Sequence, residues 1–143
     1  IAGERVGWMY GPGHVVDALN RIRGPFNVSL SGQAAAAAAA RDIEFTARLR
    51  EHNARWRDWL STALRSNAIR VPPSQGNFVL ALFETPEIAR AAFLALREKG
   101  LLVREMHGYG LPEALRISIG LEDDMRAVVT ILKDFGAPGA PHV

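Results

Sequence analysis

The sequence predicts an α+β fold: a small, mostly antiparallel sheet with helices on one face, preceded by a long helix and a leading strand–helix pair. Three observations predict it. Beyond residue 68, short apolar runs rich in Val, Leu, Ile and Phe alternate with segments of helical period, and Gly or Pro marks the joints between them. Before that point lies a stretch of about 25 residues with helical spacing and no strand signal. The second half therefore holds enough strands and helices to close one two-layer core by itself.

The elements follow in order. Val6, Trp8 and Tyr10 alternate with Gly7 and Met9, and Gly11-Pro12-Gly13 stops the run, so residues 6–10 read as a strand ending in a turn. From His14 to Arg23, Val15, Val16, Leu19 and Ile22 fall at helical spacing, closed by Gly24-Pro25. Residues 25–28 read as extended, since Gly-Pro disfavours continuation of a helix. Ser29 or Ser31 can cap a helix whose body is the seven-alanine run Ala34–Ala40. Asp42 then caps a longer helix reaching about Asn67, with Leu49, Trp56, Leu60, Ala63 and Leu64 on one face. Trp56 and Trp59 read as packing residues.

Ile69-Arg70-Val71 reads as a short strand before Pro72-Pro73, and residues 77–83 as a longer one. Pro86 opens a helix to Lys99, and Gly100 ends it. Strands are expected over 101–104 and 114–119, joined by the loop His107-Gly108-Tyr109-Gly110-Leu111-Pro112. A last helix spans 122–135, its Glu122, Asp123 and Asp124 suiting the N-terminal dipole. Residues 137–143 read as a flexible tail. A boundary near Asn27 gives residues 1–27, whose strand needs partners not encoded here, and a domain over 28–136.

Composition excludes several classes of function. The 143 residues carry 17 basic and 15 acidic side chains and no cysteine. Disulfides, thiolate nucleophiles and Cys-ligated metals are ruled out, and the lack of cysteine accords with a cytoplasmic protein. No basic cluster interleaved with aromatics marks a nucleic-acid surface. The most apolar run is too short to span a membrane. His14, His52, His107 and His142 lack metal-ligand spacing, and the serines lack a nucleophile-elbow context. No metal site is expected.

The candidate chemistry lies in polar residues set into apolar strands, where burial must be compensated. These are Asn77 at the head of Asn-Phe-Val-Leu, Arg104 at the end of Leu-Leu-Val-Arg, and Arg116 within Leu-Arg-Ile-Ser-Ile. Arg116 is the sharpest, because a guanidinium in a central strand needs an anion or a carboxylate. Either it grips a ligand's carboxylate or phosphate, or it pairs with a neighbour such as Glu105 or Glu113.

Several segments together resemble the C-terminal third of fold-type I pyridoxal-phosphate aminotransferases. Gly3-Glu4-Arg5-Val6-Gly7-Trp8 resembles that family's Gly-Leu-Arg-(Ile/Val)-Gly-(Tyr/Trp) segment, with Glu4 in place of Leu. Residues 25–29 resemble the domain connection, and Pro73-Ser74-Gln75-Gly76-Asn77-Phe78 the start of the small domain. The stretch from Gly100 to Gly120, with its order Arg, Gly-Tyr-Gly-Leu-Pro, Leu-Arg-Ile, is similar to the histidinol-phosphate branch.

The resemblance implies that Arg104 and Arg116 hold the phosphate or carboxylate end of an anionic amino-acid or phosphate-ester substrate. It also implies that Asn27 and Asn77 line the substrate site and that Arg5 contacts the cofactor phosphate. Residues 1–27 would then be a remnant of the large cofactor-binding domain, and residues 28–136 the small C-terminal domain. The implied parent is a homodimeric transaminase of histidine biosynthesis, using pyridoxal phosphate to move an amino group between glutamate and imidazole-acetol phosphate. The only lysines, Lys99 and Lys133, stand outside the family's context for the cofactor-binding lysine. On that basis the chain has no catalytic residue of its own, does not bind the cofactor and is inactive alone. Two alternatives are a piece of a sister enzyme (an aromatic or broad-specificity aminotransferase, or a threonine-phosphate decarboxylase) and a non-catalytic anion-binding or interaction module.

Overall fold

The computed structural model describes residues 2–136. The expected tail, 137–143, lies outside the described residues. The backbone divides into two compact units, one up to Ala47 and one from Arg48 onward.

The first unit holds a 3-10 turn, Ala2–Glu4, followed by α1 (Gly13–Ile22) and α2 (Leu30–Arg41). Ser29 is the cap of α2: its Oγ accepts from the Gly32 N–H at 3.0 Å. Gly32 is buried, and a Cβ there would stand 2.7 Å from Val6 Cγ2, so only glycine lets the Val6 segment approach. Asp42 separates two helices as predicted. Its N–H closes α2 on the Ala39 carbonyl, and its Oδ1 accepts from the Phe45 N–H at 3.0 Å, which starts α3 (Ile43–Ser66).

Two expectations fail in this unit. Residues 6–10 form no strand, and Trp8 and Tyr10 are exposed. Alternation specifies which face a strand buries, but a strand persists only when another pairs with it. Residues 25–28 form a turn instead of an extended segment, because Phe26 takes a left-handed backbone, φ 55°.

The second unit is the α+β layer that the pattern predicts. Three strands, β1 (Phe78–Leu82), β2 (Arg104–Glu105) and β3 (Ala114–Ser118), form an antiparallel sheet in the order β1-β3-β2. Side chains alternate strictly across it. Val79 and Ala81 of β1 join Leu115 and Ile117 of β3 in the main core. There they meet Trp56, Leu60 and Leu64 of α3, Ile88, Ala92 and Leu96 of α4 (Pro86–Glu98), and Met125, Val128 and Leu132 of α5 (Glu122–Leu132). The opposite face of the sheet carries a smaller apolar cluster, Leu82, Met106 and Ala114, flanked by Leu80 and Leu111.

Caps fix the ends of these helices. Thr85 Oγ1 accepts from the Ile88 N–H, with Pro86 in the first turn of α4. Gly100, at φ 77°, ends that helix: its N–H reaches the Arg97 carbonyl and the Leu101 N–H reaches the Leu96 carbonyl. This is the paired closure that a left-handed residue allows. Asp124 accepts from the Leu121 N–H at the start of α5. Trp56 and Trp59 pack edge to face at 5.2 Å, with the Arg126 guanidinium against both rings.

Two strands are shorter than the sequence predicts. Residues 69–71 contribute only a single bridge, Arg70 to Leu82, because Pro72 and Pro73 supply no N–H to extend a ladder. Residues 101–104 pair only from Arg104 onward. Leu101 is still engaged in closing α4, and Leu101 and Val103 pack on the core before the chain meets β3.

The α3 terminus repeats the paired closure without a glycine. The Ala68 N–H bonds the Arg65 carbonyl, the Ile69 N–H bonds the Leu64 carbonyl, and Ala68 sits at φ 59°. An alanine held there costs about 1 kcal/mol relative to glycine. Ala68→Gly is therefore expected to stabilise the second unit by about that amount, measured as a raised urea midpoint at unchanged slope.

Candidate functional site

The central strand of the sheet carries the site. Register places Arg104 directly opposite Arg116, so both side chains leave the same face of the sheet. That face is the one away from the core helices, since Leu115 and Ile117, the neighbours of Arg116 along β3, point into the main core. Arg116 is half-buried and Arg104 exposed.

Each guanidinium lies against an aromatic ring. Arg116 packs over Phe78, the first residue of β1, at 5.4 Å, and Arg104 over Tyr109, in the 3-10 turn His107–Tyr109, at the same distance. A ring against one face of a guanidinium restricts its plane and leaves the N–H edge for a ligand, at a gain of about 0.5–1 kcal/mol for an exposed pair. Phe78 and Tyr109 escaped the sequence reading as individual residues. The signal was present in Asn77-Phe78 and Gly108-Tyr109-Gly110, but only the register shows which arginine each ring meets.

The structural alternative for Arg116 was a neighbouring carboxylate, and alternation removes it. Glu105 lies opposite Leu115, hence on the helix face, where Oε2 accepts from Arg90 of α4 at 2.8 Å. Glu113, one residue before β3, shares the parity of Leu115, and its carbonyl accepts from the Phe83 N–H. Among the described residues, no carboxylate forms an ion pair with Arg104 or Arg116, and Arg116 Nε is buried without a hydrogen-bond partner. Two like charges directly opposite on adjacent strands are destabilising, and a buried N–H donor left unmade adds to that cost. Such an arrangement suits a doubly accepting anion: a carboxylate or a phosphate dianion would satisfy both guanidinium edges and screen their repulsion.

Asn77 immediately precedes β1 and is exposed; its carbonyl accepts from the Ile119 N–H at 2.8 Å, extending the β1–β3 ladder past Phe78. This bond places it at the same end of the sheet as the Phe78 ring. Arg5 and Asn27 belong to the first unit. Arg5 is exposed at φ 53°, beside Glu4, whose carboxylate accepts from Ser31 Oγ at 3.3 Å. Asn27 Oδ1 accepts from Arg23 at 3.1 Å. Lys99 and Lys133 are exposed at the C-terminal ends of α4 and α5, and neither lies on a strand of the arginine face. Among the described residues, no group of three His, Asp or Glu side chains converges as metal ligands, and no helix is long and apolar enough to cross a membrane.

Residues 1–132 match the family described as aminotransferase class I and II. The chain belongs to this family. Histidinol-phosphate aminotransferase of Rhodospirillum rubrum is 50% identical over 96% of the chain and 38% of that protein's length. Those of Ruegeria sp. and Sphingopyxis alaskensis are 46% and 47% identical over 98% and 93% of the chain. The chain thus spans about two fifths of the length of the curated relatives it matches. A crystal structure from Burkholderia pseudomallei, assigned as an aminotransferase, superimposes with a TM-score of 0.76 at 27% identity, covering 90% of this chain and 39% of that one.

Because no carboxylate of the described residues holds either site arginine, removing either charge breaks no ion pair among them. Arg104→Gln is expected to shift the unfolding free energy by less than about 1 kcal/mol, and Arg116→Leu, which removes both the repulsion and the unmet donor, to raise it by about 1–3 kcal/mol, measured by chemical denaturation. A loss of 3 kcal/mol or more, the size of a broken buried pair, would show that a partner carboxylate holds the arginine after all.

Proposed function

We propose that this chain supplies the substrate-anchoring face of a histidinol-phosphate-type aminotransferase. The parent reaction moves an amino group between glutamate and imidazole-acetol phosphate. The observation that carries the reading is the cross-strand pair Arg104 and Arg116, stacked on Tyr109 and Phe78 and lacking a carboxylate partner among the described residues. The two reactants share a feature that this pair suits: each is an anion whose amino or keto carbon lies away from its phosphate or carboxylate end. Clamping that end by two planar forks fixes the distance and direction of the reacting carbon, which is where positional catalysis gains most. Arg116, in the middle strand and half-buried, is the rigid member, while Arg104 on the edge strand adapts to the length of the ligand. Asn77, at the head of β1, lies at the same end of the sheet as Phe78 and completes the polar rim.

Pyridoxal phosphate supplies the carbanion chemistry of such enzymes when it is bound. The residues of this chain do not fit it as a complete site. The two lysines end α4 and α5, so no lysine stands on the strands of the arginine pair, and Arg5 is the one residue proposed to meet the cofactor's phosphate. Catalysis accordingly belongs to the longer protein, which on this reading is a cytoplasmic homodimer. The exposed Trp8, Tyr10, Phe26 and Leu30 of the first unit are apolar surface of the kind that further chain or a second subunit covers.

Titration of the chain with histidinol phosphate, 2-oxoglutarate and neutral histidinol, followed by isothermal calorimetry, tests the reading. The two anions are expected to bind and histidinol not. Arg116→Lys is expected to weaken binding of the anions about tenfold by losing the bidentate grip, and affinity should fall with added salt. Equal affinity for histidinol and its phosphate ester would sink the proposal. Preference for aromatic acids without phosphate would instead favour a broad-specificity sister enzyme. In a separate assay, pyridoxal phosphate followed by borohydride is expected to leave no stoichiometric adduct at Lys99 or Lys133. Such an adduct together with turnover would refute the assignment of catalysis to the longer protein.

A further inference from the structure

We infer that Glu105 and Arg90 form a positioning pair that holds Arg104 in register with Arg116. The inference rests on the anion-anchoring reading above and adds residues to which that reading gives no role. β2 is only two residues long, an edge strand joined to the sheet solely through Arg104 opposite Arg116 and Glu105 opposite Leu115. Residues 101–103 do not pair with β3, and the chain turns away again at His107. Two residues of ladder give little cooperative hold, and the first pair sets two positive charges against each other. Val103 and Met106 anchor the two ends of this edge, but nothing within the two-residue ladder offsets the repulsion of its arginines.

Glu105 supplies the missing hold from the other face. Its side chain passes through the sheet edge to the helix side, where Oε2 bonds Arg90 of α4 at 2.8 Å, with Oε1 buried. Arg90 is fixed in turn over the Phe93 ring at 5.2 Å. α4 is among the best-anchored elements, with five buried residues and caps at both ends, so the bond ties the loose strand to a firm one. Alternation makes the arrangement work: adjacent residues of one strand send Arg104 to the ligand face and Glu105 to the support face.

Charge and position have opposite consequences here, which makes the idea sharply testable. Glu105 is a carboxylate near two site arginines, so as a mere through-space charge it opposes anion binding, and neutralising it should tighten phosphate. As a positioning residue it favours binding, and neutralising it should loosen phosphate. Inorganic phosphate titrated into the full chain, followed by amide chemical shifts, reads the sign directly. Glu105→Gln and Arg90→Gln are expected to weaken phosphate by roughly two- to fivefold, the equivalent of one half-exposed ion pair. The exchanged pair Arg90→Glu with Glu105→Arg is expected to recover affinity. The cross-strand nuclear Overhauser contacts between β2 and β3, recorded without ligand, are expected to fade in both single variants and return in the exchange.

Tighter phosphate binding in Glu105→Gln, or intact β2–β3 contacts in both single variants, would overturn the positioning role. Failure of the anchoring reading looks different: the wild-type chain would show no phosphate response, while the ligand-free β2–β3 contacts would still report on the pair.

Discussion

Alternation of side chains along β3 is the constraint on which the rest of this molecule depends. One strand flanked on both sides by hydrogen-bonded partners has to serve two environments, and each residue step switches between them. Leu115 and Ile117 commit one face to the helices; Arg116, between them, is thereby committed to the other. The burial of the leucine and isoleucine side chains, at roughly 1.5–3 kcal/mol each, holds the arginine where it is, while on its own face it rests against the Phe78 ring. A register slip of one residue would bury the guanidinium among leucines and expose the core. That penalty fixes the orientation of the site far more firmly than any contact the arginine makes.

The same rule explains why a face rich in unmet donors survives. Arg104 and Arg116 repel, and one buried N–H is unsatisfied, yet the cost is a few kcal/mol set against a core of seventeen buried residues, fourteen of them from three helices and two strands. The fold tolerates local conflict at the strand face because its stability is generated on the opposite side. Such conflict between local preference and global fold is expected where a surface is kept for a ligand.

Much of this was legible in the sequence, and the exceptions share a cause. Asp42 between two helices, Pro86 and Gly100 at the ends of α4, and the acidic first turn of α5 are local signals, and each acts where it was read. Arg116 was legible because a charged residue between Leu115 and Ile117 breaks a buried pattern. What the sequence does not show is partnership. Residues 6–10 have the alternation of a strand without a strand beside them; Ile69 and Val71 are strand formers beside two prolines that end pairing; Leu101 is held in closing the preceding helix, and Val103 packs on the core before pairing begins. The pairing of Glu105 with Arg90, and so its unavailability to Arg116, likewise depends on register, which no spacing rule contains. Phe78 reads as one residue of a strand and Tyr109 as one of a loop until the two guanidinium planes are set against their rings.

The edge-to-face contact of Trp56 and Trp59 has a use beyond packing. The chain has three tryptophans, and these two belong to the second unit, with Trp56 buried, while Trp8 is exposed in the first. Their surroundings differ, an Arg126-contacted, buried to half-buried pair against a water-exposed single indole, so the pair is expected to emit to the blue of Trp8. With Trp8 replaced by phenylalanine, the remaining fluorescence becomes an optical marker of the sheet-bearing unit alone. The integrity of the arginine face can then be followed in real time while the other unit melts, assembles or exchanges partners.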